Sequence, residues 1–317
     1  MKNLLNRVDK KIRSIVSTDE KPVAGYFADC VYKNGKRIRA QMLILSNRLF
    51  KNKSGKAIDL AAVIEVIHFA SLLHDDVVDN GSTRRGKTSL NALWGNKVSI
   101  LLADYLLARA MKILCREEYA GILKIIIKTI EDMSRGQLYE ITFENDIKLT
   151  VDDCIKIINS KTASLFAASC RIGAVLAGTS SKDVLALESF GRNFGILFQI
   201  VDDILDYWGN SKKLGKSVFN DLARKNLTLP LILLLKEVNC SEKEKITKIL
   251  KMKNIPGSKG REILKLMNKY RVKENIFGTA LTYYGRALNS LDRKNINNKA
   301  KEDLINIAKS VLEKISN

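Results

Sequence analysis

IDLAAVIEVIHFASLLHDDVVD, from Ile58 to Asp79, decides the fold class. The run Ile58–Leu73 is apolar nearly all round, interrupted by Asp59, Glu65 and His68. A helix apolar on every face belongs at the centre of a large helical assembly. This one ends in three carboxylates, Asp75, Asp76 and Asp79. A second stretch, FGRNFGILFQIVDDILD from Phe190 to Asp206, repeats the design with Asp202, Asp203 and Asp206. Both clusters read D-D-φ-φ-D. On a helix the first and fifth positions share a face one turn apart, and the second lies close by. Carboxylates gathered there repel one another, and at a helix C-terminus the helix dipole adds to that repulsion. Divalent cations would relieve it, and hard oxygen donors suit Mg²⁺. Two such clusters facing each other would hold several Mg²⁺ ions around a diphosphate.

Working outward, helical spacing of apolar residues continues almost everywhere, with no sustained strand alternation. Helices are expected at 2–16, 22–33, 36–50, 56–80, 96–116, 118–145, 151–178, 182–209, 229–238, 242–252, 258–270, 273–292 and 298–315. The 317 residues contain only 3 prolines and are 46% hydrophobic, so long helices meet few breakers and a large core is available. No abrupt change in composition divides the chain, and 1–317 reads as a single all-α domain, one large bundle of long helices around a central catalytic cavity. Thr228 before Pro230 is a helix-start signal.

The formal net charge is +20, from 54 Lys and Arg against 34 Asp and Glu. Most of this excess is expected on solvated helix faces. No basic run interleaved with aromatics stands out, which argues against a nucleic-acid partner. Cys30, Cys115, Cys154, Cys170 and Cys240 are odd in number and scattered, as in a reduced, cytoplasmic protein with neither a disulfide framework nor a zinc site. The first residues lack the apolar core of a signal peptide. No segment is an uninterrupted apolar span, so the protein is expected to be soluble, with at most peripheral membrane contact.

Cations accompany the acidic clusters. Arg84 and Arg85 follow the first in a glycine-containing turn, and guanidinium groups bind phosphate bidentately. Lys36 and Arg39 open an early helix and would share a face near its anion-favouring N-terminus. His68 lies nearly two turns before Asp75 and would reach a second phosphate group, whereas His74 reads as packing. Lys161, beside Thr162 and a run of small residues, needs a partner or an anion. Gln199, one turn before Asp203, offers a neutral dipole suited to facing a carbocation.

Together GKRIR (35–39), EVIHFASLLHDDVVDNGSTRRGK (65–87), ADYLLARA (103–110), KTASL (161–165) and FQIVDDILDYWG (198–209) make the chain resemble the trans-type polyprenyl diphosphate synthases, head-to-tail isoprenyl chain elongators, over essentially its whole length. The resemblance implies the all-α isoprenoid synthase class I fold, a homodimer and long-chain products. It implies that Asp75, Asp76, Asp79, Asp202 and Asp206 coordinate Mg²⁺ on an allylic diphosphate, with Asp203 close behind. Arg84, Lys161 and Lys216 would contact that diphosphate. Lys36, Arg39, His68 and Arg85 would bind isopentenyl diphosphate, and Thr162 and Gln199 would orient dipoles toward the allylic cation. The implied reaction is ionisation, attack by the isopentenyl double bond, and proton loss to the released pyrophosphate.

Several positions depart from the family pattern, the stretch from Lys216 to Asp221 among them, where the family commonly reads K-P-x-G-x-D. Asn34 replaces a glycine, Ala40 a proline, and Asn226 a diphosphate-binding lysine for which Arg224 or Lys225 would have to substitute. Product length is expected to depend on residues preceding Asp75, namely Ser71, Ala70, Ile67 and Val66. Short-chain members carry a bulky aromatic where this chain has Ala70 beside Ser71, so a long product of the quinone side-chain type is expected, with geranylgeranyl diphosphate as the alternative. A terpene cyclase would carry a different second metal motif, and a non-catalytic subunit of a heteromeric synthase would tend to lose aspartates.

Overall fold

Regular apolar spacing with few prolines disposes this chain to helix, and helix is what the computed structural model contains. It describes residues 1–18, 20–28, 35–51, 54–84, 87–209, 218–293 and 296–316, so Cys30, Asn34, Arg85 and Lys216 lie outside the described residues. The helices are α1 (Lys2–Val16), α2 (Lys21–Ala28), α3 (Ile38–Leu49), α4 (Lys56–Val78), α5 (Leu90–Leu114), α6 (Ala120–Thr142), α7 (Val151–Ile158), α8 (Ser164–Leu176) and α9 (Ser181–Trp208). They continue with α10 (Asn220–Ala223), α11 (Leu229–Glu237), α12 (Cys240–Leu250), α13 (Gly257–Lys269), α14 (Val272–Ser290) and α15 (Asn298–Ser316). The strands β1 (Thr83–Arg84) and β2 (Lys87–Thr88) pair antiparallel, Thr83 with Thr88 and Arg84 with Lys87.

The helices depart from expectation at particular residues. Arg37 adopts a left-handed conformation (φ 50°), so α3 starts at Ile38 and leaves Lys36 exposed ahead of it. Lys36 and Arg39 therefore do not share a helix face. Ala40 donates its backbone N–H to the buried Glu65 Oε1 (3.1 Å), which satisfies a first-turn amide of α3, a donation the family's proline at that position would preclude. Gly95 takes φ 83° and ψ 162°, which is not helical, so α5 is two helices across a kink and its longer part begins after Gly95, in keeping with the expected start at 96. The helix expected over 151–178 contains a π-turn at Asn159–Ala163. At α11 the structure agrees with the start signal: Thr228 is the N-cap and Pro230 falls in the first turn.

The chain gathers into two compact units interleaved along the sequence. The first comprises Met1–Thr129, Leu165–Gly191 and Arg293–Leu304, the second Ile130–Ser164, Arg192–Asp292 and Ile305–Asn317. In the first unit α4 packs against α1, α3 and α5, and Leu60, Val63, Ile64, Val66, Ile67 and Ala70 are all buried. In the second, α11 packs against α7, α13 and α14. By length and hydropathy alone α4 and α9 are long and apolar enough to cross a membrane. Most of each apolar window is buried inside the protein, which marks both as core helices.

Gly173 of α8 lets that helix cross α3 closely, since a Cβ there would stand 2.3 Å from Leu43 O and 2.7 Å from Ser46 Cβ. Gly173→Ala is expected to destabilise the fold by about 1–3 kcal/mol, read as a melting temperature lowered by several degrees. An unchanged melting curve would show that the crossing relaxes freely.

Candidate active site

In the first unit the acidic cluster occupies the last turn of α4. Asp79 caps the helix, its N–H donating to Asp75 O (2.8 Å). Asp75 and Asp79 are half-exposed, whereas Asp76 is only 3% exposed. A buried carboxylate needs compensation, and Arg84 of β1 supplies it. Its Nε lies 2.8 and 2.7 Å from the two Asp76 oxygens, and its Nη2 is 2.6 Å from Oδ1. The Asp76 carbonyl accepts from Gly81 N (2.9 Å) and Asn91 Nδ2 (3.1 Å), and Ser89 Oγ donates to Gly81 O (2.6 Å). The turn bearing Arg84 is thus fastened to the end of α4.

Other residues of interest in this unit are distributed along α3 and α4. Arg39 is half-buried, its guanidinium carbon 4.1 Å from the centre of the Phe166 ring. His68 is half-buried, and its carbonyl accepts from Ser71 Oγ (2.8 Å). His74 Nε2 sits 3.3 Å from Asp104 Oδ1, directed at α5. Ala70 is fully buried and Ser71 half-buried.

The second cluster ends α9 in the second unit, and its three carboxylates differ. Asp202 is exposed, while Asp203 and Asp206 are 2% and 1% exposed. Asp206 accepts the backbone N–H of Asn220 (3.2 Å) and of Asp221 (3.0 Å), and also Asn220 Nδ2 (3.3 Å). These bonds tether the start of α10. Asp203 Oδ1 accepts from Gln199 Nε2 (2.9 Å), and Gln199 Oε1 in turn accepts from Thr162 Oγ1 (3.0 Å). Burial pushes the Asp203 carboxyl well above the usual carboxylate range, and the charges of Asp221, Asp202 and Asp206 push the same way, while the Gln199 hydrogen bond opposes them.

A cavity of about 80 Å³ in this unit is lined by Glu140, Lys161, Thr162, Gln199, Asp203 and Asn226, among others. Three sequence-predicted residues thus meet Asp203 in one place. Lys161 and Thr162 come from the π-turn, a feature that often marks functional sites. α6 approaches that turn at Gly136, where a Cβ would lie 2.5 Å from Lys161 N. Lys161 Nζ is paired with Glu140 Oε2, which also accepts from Gln137 Nε2 (3.0 Å). Sequence reading missed Glu140 and Gln137. The available signal was Lys161 itself, a cation in need of a partner. Of the three positions weighed at the sequence departure, Asn226 lines the cavity, and its N–H donates to Asp221 O (2.9 Å).

Among the described residues no three His, Cys, Asp or Glu side chains converge as a self-sufficient metal site. Mg²⁺ does not need one, since it keeps several waters and is usually bound by one or two carboxylates plus substrate phosphates. Half-exposed Asp75 and Asp79 in the first unit, and exposed Asp202 in the second, are each hard oxygen donors of that kind.

Comparison with known proteins agrees with this chemistry. The family model for polyprenyl synthetase matches residues 21–267. The chain is 32% identical over 270 residues to the short chain isoprenyl diphosphate synthase of Methanocaldococcus jannaschii, covering 84% of this chain and 82% of that protein. It is 36% identical over 208 residues to the octaprenyl diphosphate synthase of Escherichia coli, covering 66% of this chain and 64% of that protein. The polyprenyl synthase from Caulobacter crescentus CB15, crystallised with calcium and isoprenyl diphosphate, superposes with a TM-score of 0.92 at 29% identity, over 98% of this chain and 94% of that one. The chain belongs to the polyprenyl synthetase family, prenyltransferases of isoprenoid synthesis with an all-α fold.

Proposed function

We propose that this prenyl diphosphate synthase condenses isopentenyl diphosphate with an allylic prenyl diphosphate to make a long all-trans chain, using Mg²⁺. The observation that supports a long product is Ala70, a small residue at a fully buried position of α4, five residues before Asp75. Relatives of both short-chain and octaprenyl type match the chain, so product length rests on that position and not on likeness.

In this reading Asp75, Asp76 and Asp79 and Asp202 and Asp206 serve as the metal ligands, the half-exposed and exposed ones first. Bound Mg²⁺ supplies the Lewis acidity that draws charge onto the departing diphosphate. Lys161 holds a phosphate oxygen, and an ammonium with three donors can do so while bonded to Glu140. The Thr162 and Asp203 hydrogen bonds fix the Gln199 amide in one orientation, so its dipole faces an allylic cation without offering a charge to quench it. Arg84 and Lys216 serve the allylic diphosphate, and Lys36, Arg39, His68 and Arg85 the isopentenyl diphosphate. A cytoplasmic homodimer accompanies this reading. Leu93, Trp94, Ile100 and Leu101, exposed along α5, support a protein–protein face there.

The direct test is incubation of the pure protein with labelled isopentenyl diphosphate, farnesyl diphosphate and Mg²⁺. Long linear prenyl diphosphates are expected. A cyclic hydrocarbon would point to a cyclase, and no product at all to a non-catalytic subunit. Ala70→Phe should shift products to shorter chains in chromatography, and an unchanged distribution from a folded variant sinks the role given to Ala70. Asn226→Lys should lower KM for the allylic substrate by at least about tenfold, the ~1.5–3 kcal/mol of a charge-assisted hydrogen bond. An unaltered KM would mean that the missing lysine is not felt.

A further inference from the structure

The +20 charge is unevenly distributed. From Cys240 to Lys273, 34 residues carry eleven Lys and Arg against three Glu, a net +8. This segment forms α12, α13 and the start of α14. α12 buries Ile246, Ile249 and Leu250, while Lys243, Lys245 and Lys248 are exposed. α13 buries Gly260, Ile263 and Met267, while Arg261, Lys265 and Lys269 are exposed.

The two outward faces adjoin. Lys269 Nζ lies 2.7 Å from Glu242 Oε1, and the Tyr270 hydroxyl bonds the other oxygen of the same carboxylate. The Glu262 carboxyl is held below its usual range first by its bond to Lys259 and further by Lys245 and Lys265, which places lysines of both helices around one acid. Among the described residues, Lys259 and Lys269 are the lysines of this segment held in ion pairs. Lys243, Lys245, Lys248, Lys251, Lys253 and Lys265 have no carboxylate within ion-pair distance among the described residues. No large apolar side chain is exposed between 240 and 273, and the one aromatic, Tyr270, is engaged with Glu242. The surface therefore lacks the stacking platforms that single-stranded nucleic acid uses. It also lacks the apolar wedge of an inserting helix.

We propose that this lysine face docks the protein reversibly on an anionic lipid surface. The inference rests on the proposed long-chain product, whose hydrocarbon tail grows less soluble in water with each isoprene unit and whose natural solvent is a bilayer. A polybasic surface is attracted to anionic lipid within about a Debye length, ~8 Å at physiological ionic strength. Without an inserted apolar anchor the contact stays reversible.

The test is flotation of the full-length protein with phosphatidylcholine vesicles and with vesicles that also contain phosphatidylglycerol, at low and high salt and without substrates. Binding is expected only to the anionic vesicles and should weaken as salt rises. The triple variant Lys243→Glu, Lys245→Glu, Lys248→Glu should partition at least about tenfold less, with its melting curve and its elongation rate in detergent unchanged. Equal binding to neutral vesicles, wild-type binding by the variant, or displacement by single-stranded RNA at lower concentration than by anionic vesicles would overturn the proposal. Elongation is measured in a separate, lipid-free reaction. Its absence with anionic-vesicle binding intact would remove the functional reading and leave the docking face standing.

Discussion

A carboxylate buried at the C-terminal end of an apolar helix has to be compensated, and much of the local architecture around α4 and α9 answers that demand. The cost is steep because water is lost and the helix dipole is unfavourable there. Asp76 is compensated by the guanidinium of Arg84, in bidentate geometry. Asp206 is compensated by two backbone amides and a side-chain amide. Asp203 accepts a hydrogen bond from Gln199, but burial outweighs it and shifts the carboxyl toward the neutral form. Each solution positions a connecting segment. The Arg84 pair draws the hairpin onto the end of α4. The Asp206 bonds fasten Asn220 and Asp221, and the Asp221 carbonyl in turn holds the Asn226 amide, so the conformation of the segment leading into α11 follows from one buried acid.

The exposed or half-exposed acids, Asp75, Asp79 and Asp202, make the division of labour intelligible. In a D-D-φ-φ-D cluster not every carboxylate faces the same medium, because successive residues on a helix are about 100° apart. Asp76 of the first cluster and Asp203 and Asp206 of the second are buried, while Asp75, Asp79 and Asp202 reach the surface. Metal loading at the outward positions would act on charge already concentrated there by the helix ends, which is why a divalent ion relieves strain that a monovalent one would relieve less.

α4 and α9 were legible in the sequence because all-round apolarity, interrupted by charged residues, places a helix in a protein core, and their carboxylates were legible because nothing in packing calls for them. Lys161, Thr162 and Gln199 were legible as chemical oddities, and the cavity does bring them together with Asp203. What escaped depends on contacts between distant parts of the chain. The left-handed Arg37 is tied to Asp9 (2.9 Å), so the start of α3 is decided outside its own sequence window. The π-turn at Asn159–Ala163 lies against Gly136 of α6, and no local periodicity announces that approach. The amide partners of Asp206 come fourteen and fifteen residues later, beyond the reach of any helical spacing rule.

The departure at Asn226 gains meaning from what surrounds it. Among the described residues its cavity is lined by Glu140, Glu144, Asp203 and Lys161, one lysine with three acidic side chains, and Lys161 is itself bonded to Glu140. A lysine at 226 would bring the fixed charge closer to balance, and asparagine leaves it on the acidic side. An incoming diphosphate would meet repulsion there as a bare anion, and attraction once divalent cations accompany it. In a low-dielectric cavity that difference is amplified relative to water. If the cavity takes the diphosphate, as proposed, an asparagine at 226 makes anion binding lean more heavily on divalent ions, which ties the weakest element of the family pattern to its strongest, the two aspartate clusters.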